Sequence, residues 1–494
     1  MLALRLPLRA VAALLIVVAV RAAAPARPNI LFVYTDDQAS WTLGCYGNAQ
    51  AHTPHLDRLA DQGARLANAL VTTPVCSPAR AALFSGRYGS ELGILDFIPN
   101  PGHKEYTAET GAVGLESRFV TFPALLARAG YATALVGKWH LGDWSSDPAR
   151  RFHPTRHGFA HFVGLTGGGT STRDPKIEQE GVERTVSGLT EDILTEAAMA
   201  YLERRDAARP FFLFLGLRAP HTQYLPVAPE DAAPYKNIDP VIPNPAYPDL
   251  NVADLKARMR DYLSSVTCID RNVGRLLAAL DRLGLAENTI VIFSSDHGYN
   301  MGHNGIWHKG NGIWATKTLP PARPGWVRRY RPNLYDHSLR VPALVRWPGV
   351  VRPGTVIERT VSNVDWYPTI LAMAGVALPR DVTVRGRDAG PLLRGQPVAD
   401  WADDFYAEYS MRIYARTDLR AYRTAEWKLV RDYLNPDLDE LYDLRADPAE
   451  ARNRIRDAAD PAVARALALL DTKLRGKMRE LGDPVLARLE GAAK

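Results

Sequence analysis

Continuous apolar runs along this chain end in charged or imidazole side chains. The runs occupy residues 28–37, 132–136, 211–217 and 289–294. Runs of this length are typical of strands that are buried on both faces of a parallel sheet. Because ligands of open α/β sheets bind outside the carboxyl ends of the strands, the polar groups that end or follow the runs are expected to share one site. These groups are Asp36 and Asp37, Lys138 and His140, His221, and Asp296 and His297.

Helical patterns lie between these runs. Apolar residues recur with helical spacing over residues 56–62, 122–129, 189–202 and 252–283. The longest stripe consists of Met259, Tyr262, Val266, Ile269, Val273, Leu276 and Leu280. The stripe over residues 189–202 consists of Leu189, Ile193, Ala197, Tyr201 and Leu202. The alternation of strands and helices predicts an α/β fold with a large, doubly wound, mixed or mostly parallel sheet flanked by helices.

The pattern changes near residue 376. Short strands are predicted at residues 404–409, 419–423, 428–433 and 440–444. A helix that opens at Asp460-Pro461 carries Val463, Leu467, Leu470, Leu474, Met478 and Leu481 on one face. We therefore expect a main domain over residues 25–375 and a smaller C-terminal α+β subdomain over residues 376–494. In this subdomain a four-stranded antiparallel sheet packs on one helix.

Residues 1–24 have the features of a secretory signal peptide. Arg5 and Arg9 precede an apolar run over residues 10–20, and the alanines at 22–24 supply small residues for cleavage. The apolar run is too short to span a bilayer comfortably, so no stable membrane insertion is expected. An uncleaved N-terminal anchor is the alternative. The sequence thus predicts an exported protein, either periplasmic or secreted.

Composition adds a few limits. A chain of 494 residues can bury a large core, and its 46% hydrophobic and 23% charged residues are ordinary for a soluble globular protein. The formal net charge of +6 falls to +3 when residues 1–24, with their three arginines, are removed. This charge is too small to indicate a nucleic-acid partner. The three cysteines do not make a disulfide framework, and pairing of Cys45 with Cys268 stays open.

Cys76 lies in a distinctive stretch, residues 73–88. It stands two residues before Pro78 and four before Arg80, and small residues follow as far as Ser85-Gly86. This pattern indicates a side chain presented at a helix N-terminus, where unpaired N–H groups and the helix dipole favour anions. A buried structural thiol is the alternative. Each polar group at the strand ends, taken singly, likewise has a purely structural explanation.

Residues 311–332 form an irregular segment that is rich in aromatic and basic side chains. They are Trp314, Lys317, Arg323, Trp326, Arg328, Arg329, Tyr330 and Arg331. Such side chains on a long loop can hold an anionic sugar by stacking and bidentate hydrogen bonds. They can equally form a solvated surface, and the sequence leaves both interpretations open.

The spacing Cys76-x-Pro78-x-Arg80 resembles the signature of the type I sulfatases, the arylsulfatase A-like branch of the alkaline phosphatase superfamily. Further motifs similar to those of the family are 29–38, Gly-Lys-Trp-His-Leu-Gly at 137–142, His157-Gly158-Phe159, Ala-Pro-His at 219–221, Ser-Asp-His-Gly at 295–298, His-Lys-Gly at 308–310, Leu-Arg-Val-Pro at 339–342, 346–349, 365–369 and 440–450. The resemblance covers residues 28–455. Two departures are Ala79, where many members have Ser, and His297, where many have Asn.

The resemblance implies a modified nucleophile and a metal ion. Cys76 would be converted to Cα-formylglycine by a formylglycine-generating enzyme that acts on the unfolded segment. The metal ligands would be Asp36, Asp37, Asp296, His297 and the hydrated residue at position 76. Carboxylate oxygens suit Ca²⁺, the usual ion of the family, and the imidazole leaves Mg²⁺ or Mn²⁺ open.

The resemblance also implies catalytic roles for residues at the strand ends. Arg80 would steady the aldehyde hydrate, while Lys138, Lys309 and the metal would neutralise charge on the sulfate ester. Asp296 would accept a proton as one hydroxyl attacks sulfur, and His221 or Lys309 would protonate the leaving alcohol. His140 would then deprotonate the second hydroxyl, which expels sulfate and restores the aldehyde.

These implications predict a sulfatase that acts on sulfate esters, with a sulfated carbohydrate suggested by the basic aromatic loop and the signal peptide. One alternative is a phosphodiesterase or phosphonate monoester hydrolase of the same superfamily. The other is a noncatalytic protein that binds sulfated glycans. The particular sugar, the linkage, endo or exo action and the oligomeric state are not readable from the sequence.

Overall fold

The four predicted apolar runs are adjacent strands at the centre of one ten-stranded sheet. A computed structural model describes residues 27–492 apart from 145, 146, 148 and 166. The strands are β1 (Asn29–Thr35), β2 (Ala64–Leu70), β3 (Ala132–Lys138), β4 (His161–Leu165), β5 (Lys176–Gln179), β6 (Val182–Thr185), β7 (Phe211–Gly216), β8 (Thr289–Ser295), β9 (Asn300–Met301), β10 (Ile306–His308), β11 (Ile313–Trp314), β12 (Ala343–Arg346), β13 (Thr355–Ser362), β14 (Phe405–Tyr409), β15 (Leu419–Arg423), β16 (Trp427–Asp432) and β17 (Glu440–Asp443). The predicted signal peptide at residues 1–24 lies outside the described residues and stays a prediction.

The large sheet is mixed and mostly parallel, which confirms the predicted fold class. Its strand order is β13-β2-β12-β8-β1-β7-β3-β4-β5-β6. Strands β8, β1, β7, β3 and β4 run parallel, with Ile30 of β1 between Phe212 of β7 and Ile290 of β8. Strand β12 is antiparallel to both of its neighbours, and β5 and β6 are antiparallel at the other edge. The carboxyl ends of the four central strands therefore meet at one edge.

Helices pack on both faces of the large sheet and, in the C-terminal part, on the smaller one. They are α1 (Pro54–Asp61), α2 (Cys76–Ser85), α3 (Gly89–Leu92), α4 (Ala108–Gly111), α5 (Phe122–Arg128), α6 (Thr190–Arg204), α7 (Pro229–Ala232), α8 (Val252–Arg282), α9 (Asp336–Leu339), α10 (Trp366–Met373), α11 (Gly390–Leu393), α12 (Pro461–Leu481) and α13 (Pro484–Ala492). Along β1 the side chains alternate, so that Ile30 and Phe32 pack with α2, α5 and α10, whereas Leu31 and Val33 pack with α1, α6 and α8.

Two of the predicted helical faces have different outcomes. The α8 stripe from Met259 to Leu280 is buried as predicted, and Cys268 is a buried thiol beside it. The predicted stripe on α6 is displaced by one residue except at its last member, Leu202, which is buried as predicted. The fully buried side chains of α6 include Glu191, Leu194, Ala198 and Leu202, while Ile193, Ala197 and Tyr201 are half-buried. A charged residue in the first turn thus belongs to the inward face of α6.

The C-terminal part contains the predicted four-stranded antiparallel sheet, in the order β14-β15-β16-β17. Tyr406, Leu429 and Leu441 pack against α12, whose Val463, Leu470, Leu474, Met478 and Leu481 are buried. The predicted sixth contact, Leu467, is half-buried. Phe405, Ala407 and Tyr409 on the opposite face of β14 join the main core. The small sheet is therefore held between α12 and the large sheet's own core.

All three cysteines of the chain are free thiols, so Cys45 and Cys268 are not bridged. Residues 311–332 are irregular as predicted, apart from the two-residue strand β11. Among the described residues, no helix combines the length and the apolar character that crossing a membrane requires.

Gly137 gives a test of how tightly the central strands approach. Its φ of 104° is in the left-handed region, and a Cβ there would lie 2.0 Å from the carbonyl oxygen of Gly216 on β7. We expect Gly137→Ala to lower the free energy of unfolding by more than ~4 kcal/mol, or to prevent recovery of folded protein. Gly130 has a similar φ of 95° with open space around it.

The matched control, Gly130→Ala, is expected to cost only ~1–2 kcal/mol, the price of the left-handed backbone alone. Urea unfolding of the two variants measures the difference. Equal losses would show that the backbone conformation, and not the contact between β3 and β7, makes glycine necessary at position 137.

Candidate active site

Cys76 is the first residue of α2 and is buried at the carboxyl edge of the large sheet. Lys309 Nζ donates to Cys76 Sγ at 3.1 Å, and both Asp36 Oδ1 and His297 Nε2 lie 3.5 Å from the sulfur. Burial raises the pKa of the thiol, but Lys138 and Lys309 outweigh burial, so its pKa lies below the ordinary value. The two lysines therefore favour the thiolate at the position that is predicted to present a reactive group.

The strand ends bring the other predicted residues to this thiol. Strand β1 leads into Asp36 and Asp37, β3 ends at Lys138 and leads to His140, and β8 leads into Asp296 and His297. Lys309 directly follows β10, and His221 lies in the segment after β7. All of these side chains except His221 are fully or nearly fully buried. Adjacent parallel strands explain this convergence of residues that are far apart in sequence.

Four of the predicted metal ligands form one compact group. The ligand atoms of Asp36, Asp37, Cys76 and His297 all lie within 4.8 Å of one another. Asp37 has a left-handed φ of 68°, and its buried Oδ2 has no hydrogen-bond partner. His297 donates through Nδ1 to the Gly298 carbonyl at 3.0 Å, which directs Nε2 toward Asp37 Oδ1 at 3.0 Å. Carboxylates, an oriented imidazole and an unsatisfied buried oxygen fit a divalent cation.

Asp296 lies beside this group rather than in it. Its Oδ2 accepts from Arg80 Nε at 3.0 Å, and its Oδ1 accepts from the Asp37 backbone N–H at 3.1 Å. Burial, reinforced by the Asp36 charge, raises the pKa of Asp296 to about 7. Arg80 also donates to the carbonyl oxygens of Lys138 and Thr35 at 3.1 and 3.5 Å. The Arg80 guanidinium therefore holds Asp296 and the ends of β1 and β3 together through hydrogen bonds.

Each of the two remaining carboxylates has its own lysine. Lys138 Nζ lies 2.5 Å from Asp36 Oδ2, and Lys309 Nζ lies 2.6 Å from Asp37 Oδ1. Burial favours the neutral acids, but these lysines outweigh it and hold the pKa values of Asp36 and Asp37 well below the ordinary value. The pKa of Lys309 is correspondingly raised, so its amine carries a proton at neutral pH.

The two predicted catalytic histidines are neutral at neutral pH. Burial lowers the pKa of each to about 3. His140, with a left-handed φ of 59°, donates through Nε2 to the Ile98 carbonyl at 2.8 Å, and its buried Nδ1 has no partner. His221 donates through Nδ1 to the Thr222 carbonyl at 2.7 Å. Each ring thus keeps one nitrogen that can accept a proton.

A cavity of about 430 Å³ opens onto Cys76, His140, His221 and Lys309. We call it the reaction cavity. Arg329 and Tyr330 of the basic aromatic segment also line it. Tyr414, from the C-terminal part, lies on the same wall and stacks on Tyr330 with ring centroids 4.1 Å apart. Of the other predicted loop residues, Trp314, Arg323, Trp326, Arg328 and Arg331 line a neighbouring cavity, and Lys317 lines neither.

Sequence reasoning missed Glu191, which supports the segment that carries His221. This buried side chain accepts from the backbone N–H of Ala219 at 2.9 Å and of Arg218 at 3.3 Å. The Ala219 carbonyl in turn accepts from the Asp36 N–H at 3.2 Å. Burial, partly offset by Arg218, raises the pKa of Glu191 to about 7. The only signal in the sequence was an acidic residue in the first turn of a helix.

The mixed sheet and its C-terminal four-stranded sheet match the fold of sulfatases in the alkaline phosphatase superfamily. The family model described as Sulfatase matches residues 28–376, and a model described as "N-sulphoglucosamine sulphohydrolase, C-terminal" matches residues 325–478. The chain therefore belongs to the sulfatase family, in its type I branch, and is a sulfuric ester hydrolase.

Relatives named as sulfatases agree with this assignment. The steryl-sulfatase of Rattus norvegicus is 32% identical, and the match covers 83% of this chain and 78% of that protein. The N-acetylglucosamine-6-O-sulfatase of Bacteroides thetaiotaomicron is 28% identical over 86% of this chain and 82% of the relative. These relatives are enzymes, which does not support the alternative of a noncatalytic glycan-binding protein.

Solved structures share the fold over nearly the whole chain. One, a complex with its substrate D-glucosamine-2-N,6-O-disulfate, is 26% identical with a TM-score of 0.76, and the match covers 93% of this chain and 99% of that one. The phosphonate monoester hydrolase of Agrobacterium radiobacter is 22% identical with a TM-score of 0.68, over 91% of this chain and 96% of that one. This second likeness shows a common fold only.

Glu191 provides a test of how the site is supported. We expect Glu191→Ala to lower kcat on an aryl sulfate such as 4-nitrophenyl sulfate by ~10–100-fold, because the segment at Arg218 and Ala219 loses two hydrogen bonds. Glu191→Gln keeps a side-chain oxygen as acceptor, so it is expected to retain more of the activity.

Glu196→Ala is the matched control, since Glu196 lies on the same helix with an exposed side chain that pairs with Arg275. It is expected to match the wild type. If Glu191→Gln and Glu191→Ala lose the same amount, acceptance of the two backbone hydrogen bonds is not the role of Glu191.

Proposed function

We propose that the protein hydrolyses sulfate esters of a sulfated carbohydrate, with an aldehyde hydrate formed from Cys76 as the nucleophile. The observation that carries this proposal is the position of Cys76, at the first residue of α2 and 3.1 Å from Lys309 Nζ, within the four-residue group that fits a cation. The names of two relatives support a carbohydrate substrate. One is the N-acetylglucosamine-6-O-sulfatase described above. The other is the ulvan-active sulfatase of Formosa agariphila, which is 29% identical over 94% of this chain and 83% of that protein.

A divalent cation, Ca²⁺ before Mg²⁺ or Mn²⁺, would be held by Asp36, Asp37 and His297 with position 76, and would supply Lewis-acid polarisation of a sulfate oxygen. Asp296 is the fifth predicted ligand, and because it lies outside the four-residue group it is also a candidate proton acceptor for the attacking hydroxyl. Its pKa of about 7 suits a group that takes up a proton near neutral pH.

The remaining side chains divide the charge and proton transfer. Lys309 lines the reaction cavity and carries a proton, so it is better suited than neutral His221 to protonate the leaving alcohol. Lys138 is fully buried against Asp36 and compensates the negative charge of that carboxylate. His140 Nε2 is hydrogen-bonded to the Ile98 carbonyl and its Nδ1 has no hydrogen-bond partner among the described residues, which suits Nδ1 to accept the proton of a second hydroxyl at position 76.

Conversion of Cys76 by a formylglycine-generating enzyme would have to precede folding. Every residue of α2 is buried, so the folded protein does not offer residues 76–85 to another enzyme. Export to the periplasm or medium is proposed from residues 1–24 of the sequence. If the chain is exported in the folded state, Cys76 would have to be modified before export.

The nucleophile is tested by peptide mass spectrometry across Cys76. Protein made in a host with the modifying enzyme is expected to show a loss of about 18 mass units at this residue. Cys76→Ala is expected to lower kcat on 4-nitrophenyl sulfate by ~10³-fold or more. Cys45→Ala is the control for loss of a thiol, because Cys45 lies outside the site. An unmodified, fully active Cys76 would refute the mechanism.

The cation is tested by thermal unfolding after chelation. Adding Ca²⁺ to chelated protein at 100 times its Kd is expected to raise stability by about 2.7 kcal/mol. Asp37→Asn is expected to lose this increase, whereas the exposed Asp239→Asn keeps it. A stabilisation that survives Asp37→Asn would place the ion elsewhere.

Turnover of sulfate relative to phosphonate monoesters, measured on the same protein, separates the sulfatase from the phosphoryl alternative.

A further inference from the structure

A second cavity of about 470 Å³ lies next to the reaction cavity. Its walls include the indoles of Trp314 and Trp326 and the side chains of Arg323 and Arg328. Tyr330 belongs to the walls of both cavities. A single aromatic side chain is therefore shared by the two spaces, and a molecule that fills one meets the edge of the other.

Two arginines that directly precede Tyr330, Arg328 and Arg329, carry charge that no carboxylate of the described residues neutralises. Arg323 pairs with Asp437 at 2.5 Å, and Arg331 pairs with Glu440. Within the described part of the chain, neither Arg328 nor Arg329 has a carboxylate partner. Arg328 lines the second cavity and Arg329 the reaction cavity. Positive charge thus continues from one cavity into the other.

Arg328 is fixed in place although its charge is unpaired. Its Nε donates to the Pro320 carbonyl at 2.7 Å, and its Nη2 donates to the Leu319 carbonyl at 2.8 Å. The other terminal nitrogen keeps its N–H groups for an external acceptor. A guanidinium held in this way loses little freedom when it binds an anion.

The chemistry of the second cavity suits a sulfated sugar. Indole rings pack against the apolar face of a sugar ring, and guanidinium groups bind sulfate through charge-assisted hydrogen bonds. The volume lies within the range of small-molecule sites. Arg323 over the Trp326 ring, 5.6 Å from its centroid, places a cation and an aromatic face together at this wall.

We propose that the second cavity binds the sugar adjacent to the one that loses its sulfate, so that the substrate is a sulfated oligosaccharide or polysaccharide. This inference rests on the proposed function, because it assigns a neighbour to the sugar in the reaction cavity. Trp326 and Arg328 determine the preference for such long substrates over a single sulfated sugar. Because they lie away from Cys76, they contribute to KM for long substrates rather than to kcat.

The test compares two variants, Trp326→Ala and Arg328→Ala, with Lys317→Ala as control on the same segment. Substrates are 4-nitrophenyl sulfate, the monosaccharide D-glucosamine-2-N,6-O-disulfate, and size-fractionated tetrasaccharides of heparin, chondroitin sulfate and ι-carrageenan. The ratio of kcat/KM for the tetrasaccharide that is turned over to kcat/KM for the aryl sulfate is expected to fall ~10-fold or more in each variant, through KM. Lys317→Ala is expected to keep the wild-type ratio.

The outcomes separate this inference from the proposed function. An unchanged ratio in both variants, or a wild-type enzyme that desulfates the monosaccharide as efficiently as every tetrasaccharide, would overturn the second cavity as a sugar site while the sulfatase activity stands. Absence of turnover on every ester by protein with a modified Cys76 would overturn the proposed function. Calorimetric binding of the tetrasaccharides to Cys76→Ala, with and without Trp326→Ala, tests the second cavity without any turnover.

Discussion

Three carboxylates buried at one edge of a sheet are stable only because three cations are buried with them. Asp36 has Lys138, Asp37 has Lys309 and Asp296 has Arg80. Removing one member of such a pair leaves an uncompensated charge, which costs about 3–5 kcal/mol. The partners come from β1, β3, β8, α2 and the segment after β10, so the charge balance also fixes how these elements meet. The same balance keeps an amine at the sulfur of Cys76 and leaves Asp37 Oδ2 unsatisfied.

The sequence was most informative where burial is continuous. The central strands and α8 were predictable because a continuous apolar run or a long apolar stripe is unfavourable in contact with water and therefore indicates burial. The polar residues at the strand ends could be grouped for the same reason, since parallel strands share one carboxyl edge. Local pattern did not reveal which groups pair. That Arg80 reaches Asp296 depends on how α2 lies over the sheet, which no spacing encodes.

The buried face of α6 shows a second limit. The apolar stripe through Ile193 and Tyr201 has the correct period, but the inward face is displaced by one residue and includes Glu191. Apolar periodicity does not reveal a carboxylate such as Glu191, which is buried because it accepts hydrogen bonds from backbone N–H groups. The charged residues of the 311–332 segment were ambiguous in a similar way, because exposure alone does not distinguish a solvated arginine from one fixed by carbonyl oxygens.

The wall of the reaction cavity is assembled from two distant parts of the chain. Tyr330 belongs to the segment before α9, whereas Tyr414 follows β14 of the C-terminal sheet, and their rings lie parallel within 5°. Neither residues 311–332 nor the C-terminal sheet supplies any of the cations that pair with Asp36, Asp37 and Asp296. The aromatic wall and the charge pairs are therefore encoded in separate stretches of the chain. Under the proposed function, we expect a substitution at this aromatic pair to change the fit of a substrate while the three buried charge pairs stay intact.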